Sequence, residues 1–195
     1  MENQNLTLKD NTANPAPLGL TGFALTTILL NLHNAGFFAL GSSILAMGIT
    51  IGGIAQIVVG VMEWKKGNTF GTTAFSAYGF FWLSLVFIII LPKMGLGTAP
   101  DKNEMASYLA VWGVFSFFLF IATFRLNVAF QLLFGTLIIL FFSLAIGDAT
   151  ENAGLKTFAG YEGILCGLIA LYAAMAQVLN EVFGKVVMPL GVLKK

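Results

Sequence analysis

Charge is what this chain of 195 residues has least of. Charged side chains make up 10% of it, against about 25% in a soluble domain. A net charge of +1, with no Lys/Arg cluster, leaves no track for phosphates and excludes a nucleic-acid partner. There is one cysteine, Cys166, which excludes an internal disulfide and a CxxC metal site. There is one histidine, His33, and neither HExxH, a GxSxG with a His partner, nor a Walker sequence is present. With so few nucleophiles and ligands, a metal site or a nucleophile–base pair is hard to assemble. The reading is therefore of a protein that is not an enzyme and needs no cofactor. Residues 1–13 lack the basic start and apolar core of a signal peptide and read as a polar tail.

What is present is apolar. Hydrophobic residues make up 57% of the chain and its mean hydropathy is +0.87. Six runs approach the roughly 20 residues that a membrane span requires: 18–38, 44–63, 70–92, 106–124, 128–148 and 159–181. The expected fold is all-α, an integral membrane protein of six transmembrane helices. Residues 14–184 form its transmembrane domain, and residues 185–195 a cytoplasmic C-terminal tail. Connections this short leave no extramembrane domain, so function resides in the bundle.

Lysine and arginine positions orient it. With the N-terminus cytoplasmic, the inner side holds Lys9, Lys65, Lys66, Arg125, Lys185, Lys194 and Lys195, and the outer side Lys93, Lys102 and Lys156. The imbalance predicts both termini in the cytoplasm. All ten cations lie in tails, loops or span ends, so none awaits an anion at mid-membrane.

Polar and small residues form stripes. On the sixth span Gly160, Gly163, Gly167, Ala170, Ala174, Gln177 and Glu181 recur at +3 and +4. Such a face is either a helix-packing seam or the wall of a path, with Ala170 leaving space for a solute. On the second span Gln56, Gly60 and Glu63 share a face, and Gly48 with Gly52 makes GxxxG. Gln56 must find a partner in the bilayer, on another helix or on a solute. Glu63, beside Lys65 and Lys66, is either a solvated ion pair or a proton-carrying carboxyl at the inner mouth.

The first span carries Thr27, Asn31 and Asn34 on one strip that Phe23 extends, with Thr26 on a neighbouring strip. His33 is either a proton relay or an interfacial group bonded to a carbonyl. The fourth span, crowded with Phe117, Phe118, Phe120 and Phe124, has almost no polar stripe and is expected to face lipid or another subunit. Asp148 falls at the outer end of the fifth span, in a vestibule or at the headgroups. NTFGTTAFSAYGFFWL in the third span faintly echoes KTFAGYEGILCGLIAL in the sixth, as an inverted repeat would.

At the start of the first span, NPAPLGLTGF at 14–23 puts Asn14 in position to cap the helix and Pro15 or Pro17 in its first turn. The remaining first-turn N–H groups are expected to give the inner mouth a positive helix end that greets an anion.

That stretch, with LLNLHNAG at 29–36, LAMGITIGGIAQIVVGVMEWKKGNTFGTTAFSAYGFFW at 45–82, LAIG at 144–147 and LNEVFGKVVMPLG at 179–191, resembles the acetate/succinate transporter family over nearly the whole chain. The resemblance implies a six-helix protomer, a homohexamer with one path per subunit, and proton-linked passage of acetate and succinate across the bacterial inner membrane. It also implies a hydrophobic constriction of Phe23, Tyr78 and Leu137, with Ala170 tied to substrate choice. Six-helix acid-gated urea channels supply the other reading, a channel for small neutral solutes such as urea or ammonia.

With no central cation, a carboxylate is held by neutral donors or crosses protonated. Thr26, Thr73 and the Tyr78 phenol are the expected donors near the ring, with Asn14, Asn31 and Gln56 as further polar groups that touch substrate, and Glu63 and His33 as proton-linked groups.

Overall fold

The computed structural model describes residues 12–193. Six helices are long and apolar enough to cross a membrane: α1 Ala16–Asn34, α2 Ser42–Lys65, α3 Thr69–Met94, α4 Lys102–Thr123, α5 Val128–Ala149 and α6 Ala153–Phe183. Among the described residues the one non-helical pairing is an isolated bridge between Asn127 and Val192.

Short polar side chains decide where the helices begin. Asn68, Asp101, Asn127 and Asn152 each accept backbone N–H bonds from the first turn of α3, α4, α5 and α6. The Asn152 cap starts α6 at Ala153, six residues ahead of the expected span, so Lys156 lies within the helix. Gly184, at φ 62°, ends it. The first span stops at Asn34, because the Phe37 N–H turns back to the Leu32 carbonyl.

α2 is not uniform. Residues Gly48–Ala55 adopt a π-helix, with wider turns than the α-helical segments on either side.

Neighbouring helices in the chain are neighbours in space, and α6 closes back on α1. Glycine makes that seam. A Cβ on Gly163 would run into the Asn31 side chain, and one on Gly160 into the Ala35 backbone. A Cβ on Gly167 would stand 3.0 Å from the Ala24 carbonyl. The small-residue face of α6 is thus a packing seam against α1. Ala170, further along the same stripe, is fully buried in the core cluster.

α3 meets α4 and α5 differently, through rings rather than close backbones. Phe81 stacks on Tyr108 with centroids 5.9 Å apart and packs edge-on to Trp112 and Phe141. Phe70 meets Phe134 at 5.5 Å. On its other side α3 packs on α2 through glycine: a Cβ on Gly79 would stand 2.8 Å from the Gly53 carbonyl, and one on Gly60 2.9 Å from the Ser76 nitrogen. α4 turns Val111, Val114, Phe117, Phe118 and Ile121 outward.

The segment after α6 is not a free tail. Asn180 accepts the Val187 and Met188 N–H groups and donates to the Met188 carbonyl, and the Tyr172 hydroxyl donates to the Pro189 carbonyl. Gly191 and Leu190 carbonyls then take the Val128 and Ala129 N–H groups at the start of α5. Residues 185–193 are a strap laid across the end of the bundle. Lys9, Lys194, Lys195 and most of the N-terminal tail lie outside the described residues.

Candidate functional site: a two-chambered path

α1, α3 and α5 begin on the same side of the bundle, here called the N-side. Phe23, Tyr78 and Leu137 stand seven, nine and nine residues into these helices. At 1.5 Å per residue, all three lie about 11–14 Å from their helix starts. Equal depth on three parallel helices makes them one layer. The Phe23 and Tyr78 rings are 5.9 Å apart, and each of the three residues is less than a tenth exposed.

The layer separates two cavities. The N-side cavity, about 60 Å³, is lined by Leu20, Gln56, Asn68, Phe70 and Phe134 among others. The far cavity, about 440 Å³, is lined by Asn31, His33, Asn34, Phe81, Trp82, Asp148 and Lys156 among others. Phe23 and Leu137 line both, whereas Tyr78 lines the N-side one. Among the described residues no cation lines the N-side cavity. Lys156 lines the far one, paired with Asp148 at 2.5 Å.

The other sequence-predicted groups fall in four places. Asn31, Asn34 and His33 line the far cavity. Asn31 donates to the Thr27 carbonyl at 2.9 Å and accepts from Asn34 at 3.0 Å. His33 Nδ1 meets the Phe38 carbonyl at 2.9 Å, so that nitrogen carries a proton, a carbonyl being unable to donate.

Gln56 lines the N-side cavity, fully buried, with Nε2 donating to the Gly52 carbonyl at 2.6 Å. Oε1 has no partner.

Asn14 and Glu63 line an outer pocket at the N-side mouth with Asn68, Lys66 and Glu181. Glu63 is 2% exposed, not solvated, and its bond is to Asn68 Nδ2 at 2.6 Å rather than to a lysine. Asn14 Nδ2 donates to Gln177 at 3.0 Å, fastening the start of α1 to α6.

Three groups lie off the path. Thr26 donates to the Gly22 carbonyl and is wedged against Gly52, so its side chain faces the α1–α2 contact and lines neither cavity. Thr27 is the threonine of this helix that reaches the far cavity. Thr73 is exposed on the outside of the bundle. Ala170 lines neither cavity, its surroundings being filled by the core.

The helix start also differs from expectation. Pro15 and Pro17 have no N–H. Asn14 Oδ1 takes the Ala16 N–H at 3.1 Å, and the Leu18 N–H goes to the Pro15 carbonyl at 3.1 Å. Every first-turn donor of α1 is therefore absent or occupied. α5 is similarly closed, by the strap carbonyls and by Asn127. The anion-greeting helix end foreseen for α1 is not there.

Two features escaped the sequence reading. Ser116, on the seemingly apolar α4, is fully buried and bonds the Tyr78 hydroxyl at 2.9 Å. Its i+3/i+4 relation to Trp112 and Gly113 was the available signal. Glu162 stands among the glycines of α6, 9% exposed, with both carboxyl oxygens unpartnered. A carboxyl one residue off a small-residue stripe was legible as an intramembrane ionisable group.

Residues 3–193 match the model of the GPR1/FUN34/yaaH family. The chain is 56% identical over 179 residues to the succinate-acetate/proton symporter SatP of Escherichia coli K12, covering 92% of this chain and 95% of that protein. It is 37% identical over 174 residues to the ammonia transport outward protein 2 of Saccharomyces cerevisiae, covering 85% of this chain and 61% of the yeast protein. A solved structure of the bacterial acetate channel SatP superposes with a TM-score of 0.92 at 55% identity, over 93% of this chain and all of the other. The length of these matches and the shared six-helix architecture place the chain in the GPR1/FUN34/yaaH family.

Proposed function

We propose that this protein passes small carboxylic acids, acetate and succinate, across a membrane together with protons. The observation that carries this reading is the geometry of the path. Two cavities meet at one apolar layer, Phe23–Tyr78–Leu137, which no cation lines. Burying an unpaired carboxylate there is far costlier than burying the neutral acid. A carboxylic acid with a pKa near 4.3 needs roughly 3.7 kcal/mol to be protonated at pH 7, at about 1.36 kcal/mol per unit. Crossing as the acid moves one proton with each carboxyl. The likeness to a protein named as a succinate-acetate/proton symporter supports the same substrates.

The reading has further parts. Residues 14–184 are the transport domain, in a bacterial inner membrane, with both termini cytoplasmic. The outward apolar face of α4 meets lipid or a neighbouring subunit in a homohexamer.

The test is labelled-acetate uptake into liposomes holding the purified full chain, with the membrane potential recorded. Uptake that follows the concentration of neutral acid and moves no net charge is the expected result. Uptake indifferent to pH and electrogenic overturns it.

A second reading, passage of a small neutral solute such as ammonia or urea, draws on the yeast relative's name. Competition separates the two: acetate suppresses labelled succinate uptake when carboxylates share the path, and urea does not.

A further inference from the structure

The two chambers differ in charge. Among the described residues, Lys156 is the lysine or arginine that lines either of them, and it lines the far one. The N-side chamber is neutral, and its phenol is already engaged. Ser116 Oγ gives its hydrogen to the Trp112 carbonyl at 2.7 Å, so Tyr78 donates to Ser116.

Lys156 is held at its stem and open at its tip. A Cβ on Gly147 would stand 2.9 Å from Lys156 Cγ, so the stem lies along α5. The tip pairs with Asp148, the next residue of that helix, at 2.5 Å, and the two side chains are 44% and 20% exposed. A pair this open to water adds little to stability, and another anion can take one partner's place. An ammonium has three hydrogens, of which the Asp148 contact uses one. Glu151, the other carboxylate near it, is tied to Lys102 at 2.9 Å.

Donors share this chamber with Lys156. Trp82 lines it and has its Nε1–H buried without a partner. Asn31 and Asn34 each use one amide hydrogen, toward the Thr27 carbonyl and toward Asn31 Oδ1, and keep the other. Asn34 also keeps an acceptor, so hydrogen bonding alone selects no ion here. The charge of Lys156 does.

We propose that Lys156 captures the substrate's carboxylate in the far cavity, and that Asp148 is the counter-ion which the substrate displaces. The ligand class is that of the group already seated on Lys156. Once displaced, Asp148 keeps the water that reaches it, so one carboxylate replaces another at small cost. The resident counter-ion also keeps capture weak enough for release. The captured ion takes a proton from the water of the far side before it crosses the apolar layer. Uptake then follows the product of carboxylate and proton concentrations, which is proportional to the neutral acid. The inference rests on the carboxylic-acid reading above and names the group that gathers the substrate for it.

The test is the succinate concentration giving half-maximal uptake, measured at one pH in liposomes holding the full chain. Asp148→Asn, which frees the ammonium, is expected to lower it about threefold, and Lys156→Met to raise it about threefold, the scale of a partly exposed ion pair. Lys156→Arg keeps the charge and stays near the wild type. Added sodium chloride narrows the gap between the variants. A pair that only ties α5 to α6 answers differently: cutting it from either end shifts half-saturation the same way or not at all, and that result overturns the assignment. Should Lys156→Met fail to fold, Asp148→Asn decides alone, because an unchanged or raised half-saturation overturns the assignment too. A wild-type chain that passes no acid overturns the carboxylic-acid reading, and this inference with it.

Discussion

The hydroxyl of Tyr78 and that of Ser116 lie 2.9 Å apart, joining α3 to α4 beside the Phe23–Tyr78–Leu137 layer. The bond consumes the tyrosine's only hydrogen and holds its ring against Phe23, Trp112, Phe115 and Phe134. A residue fixed from so many directions sets the width of the layer.

Releasing it has a defined cost. Ser116→Ala leaves the phenol buried with an unpaired O–H, a loss of about 1–3 kcal/mol. The freed hydrogen can then turn into the N-side cavity. The expected outcome is a lower melting temperature in detergent together with weaker selection for the neutral acid. Melting curves and the pH series of acetate uptake check both.

Truncating the layer acts on size rather than polarity. Leu137→Ala removes the α5 contribution, and a gap opens between the cavities because the helices cannot collapse onto it. Succinate uptake relative to acetate is expected to rise several-fold. Paired uptake of the two labelled acids checks this, and an unchanged ratio places the size filter elsewhere.

The α1–α6 seam tolerates no added carbon. In Gly160→Ala the new Cβ meets the Ala35 backbone, which has no rotamer with which to yield. Overpacking of this kind typically costs 1–3 kcal/mol. A depressed melting temperature and reduced membrane abundance are expected, with no change in substrate preference among molecules that do fold.

Glu162 gives the opposite sign. Its oxygens are buried without partners, and replacing an unsatisfied polar group by an apolar one of similar size is neutral or stabilising. Glu162→Leu is expected to raise the melting temperature. A clear fall instead reveals a partner, supplied by a second copy of the chain.

The Lys102–Glu151 pair, 2.9 Å apart where the start of α4 meets the α5–α6 turn, carries a pH signature. The hydrogen bond and charge of Lys102 hold the Glu151 carboxyl below its ordinary range. Its contribution is therefore present above the unfolded carboxylate's pKa and is lost as pH falls through the lowered value. Both groups are exposed, so the effect is small. The melting-temperature gap between the wild type and Glu151→Gln is expected to be slight at pH 7 and to vanish at acid pH.

Much of this architecture was legible in the sequence. Spans follow from apolar length, and the starts of α3, α4, α5 and α6 follow from an Asn or Asp cap. The ring residues were reached through the family motifs and not from spacing alone, because Phe23, Tyr78 and Leu137 look like any other core residue until three helices are aligned. What periodicity could not show was direction. Thr26 and Thr27 differ by 100° about the helix, and only the position of α2 decides which faces the water. Ala170 shares its stripe with glycines whose role is contact, so the spacing could not separate wall from seam. The fate of a hydroxyl proton, as at Tyr78, depends on a carbonyl 34 residues away in the chain, and nothing local announces it.

The shared depth of the ring bears on how such a chain can change over time. One residue inserted between Ala16 and Phe23, Thr69 and Tyr78, or Val128 and Leu137 turns the ring residue by about 100° and lifts it 1.5 Å. These three intervals cannot change length without dismantling the layer. The loops of the opposite side answer to no such rule. In a lineage of these proteins, gaps should gather in the connections from α1 to α2 and from α3 to α4, and stay out of the first two turns of α1, α3 and α5.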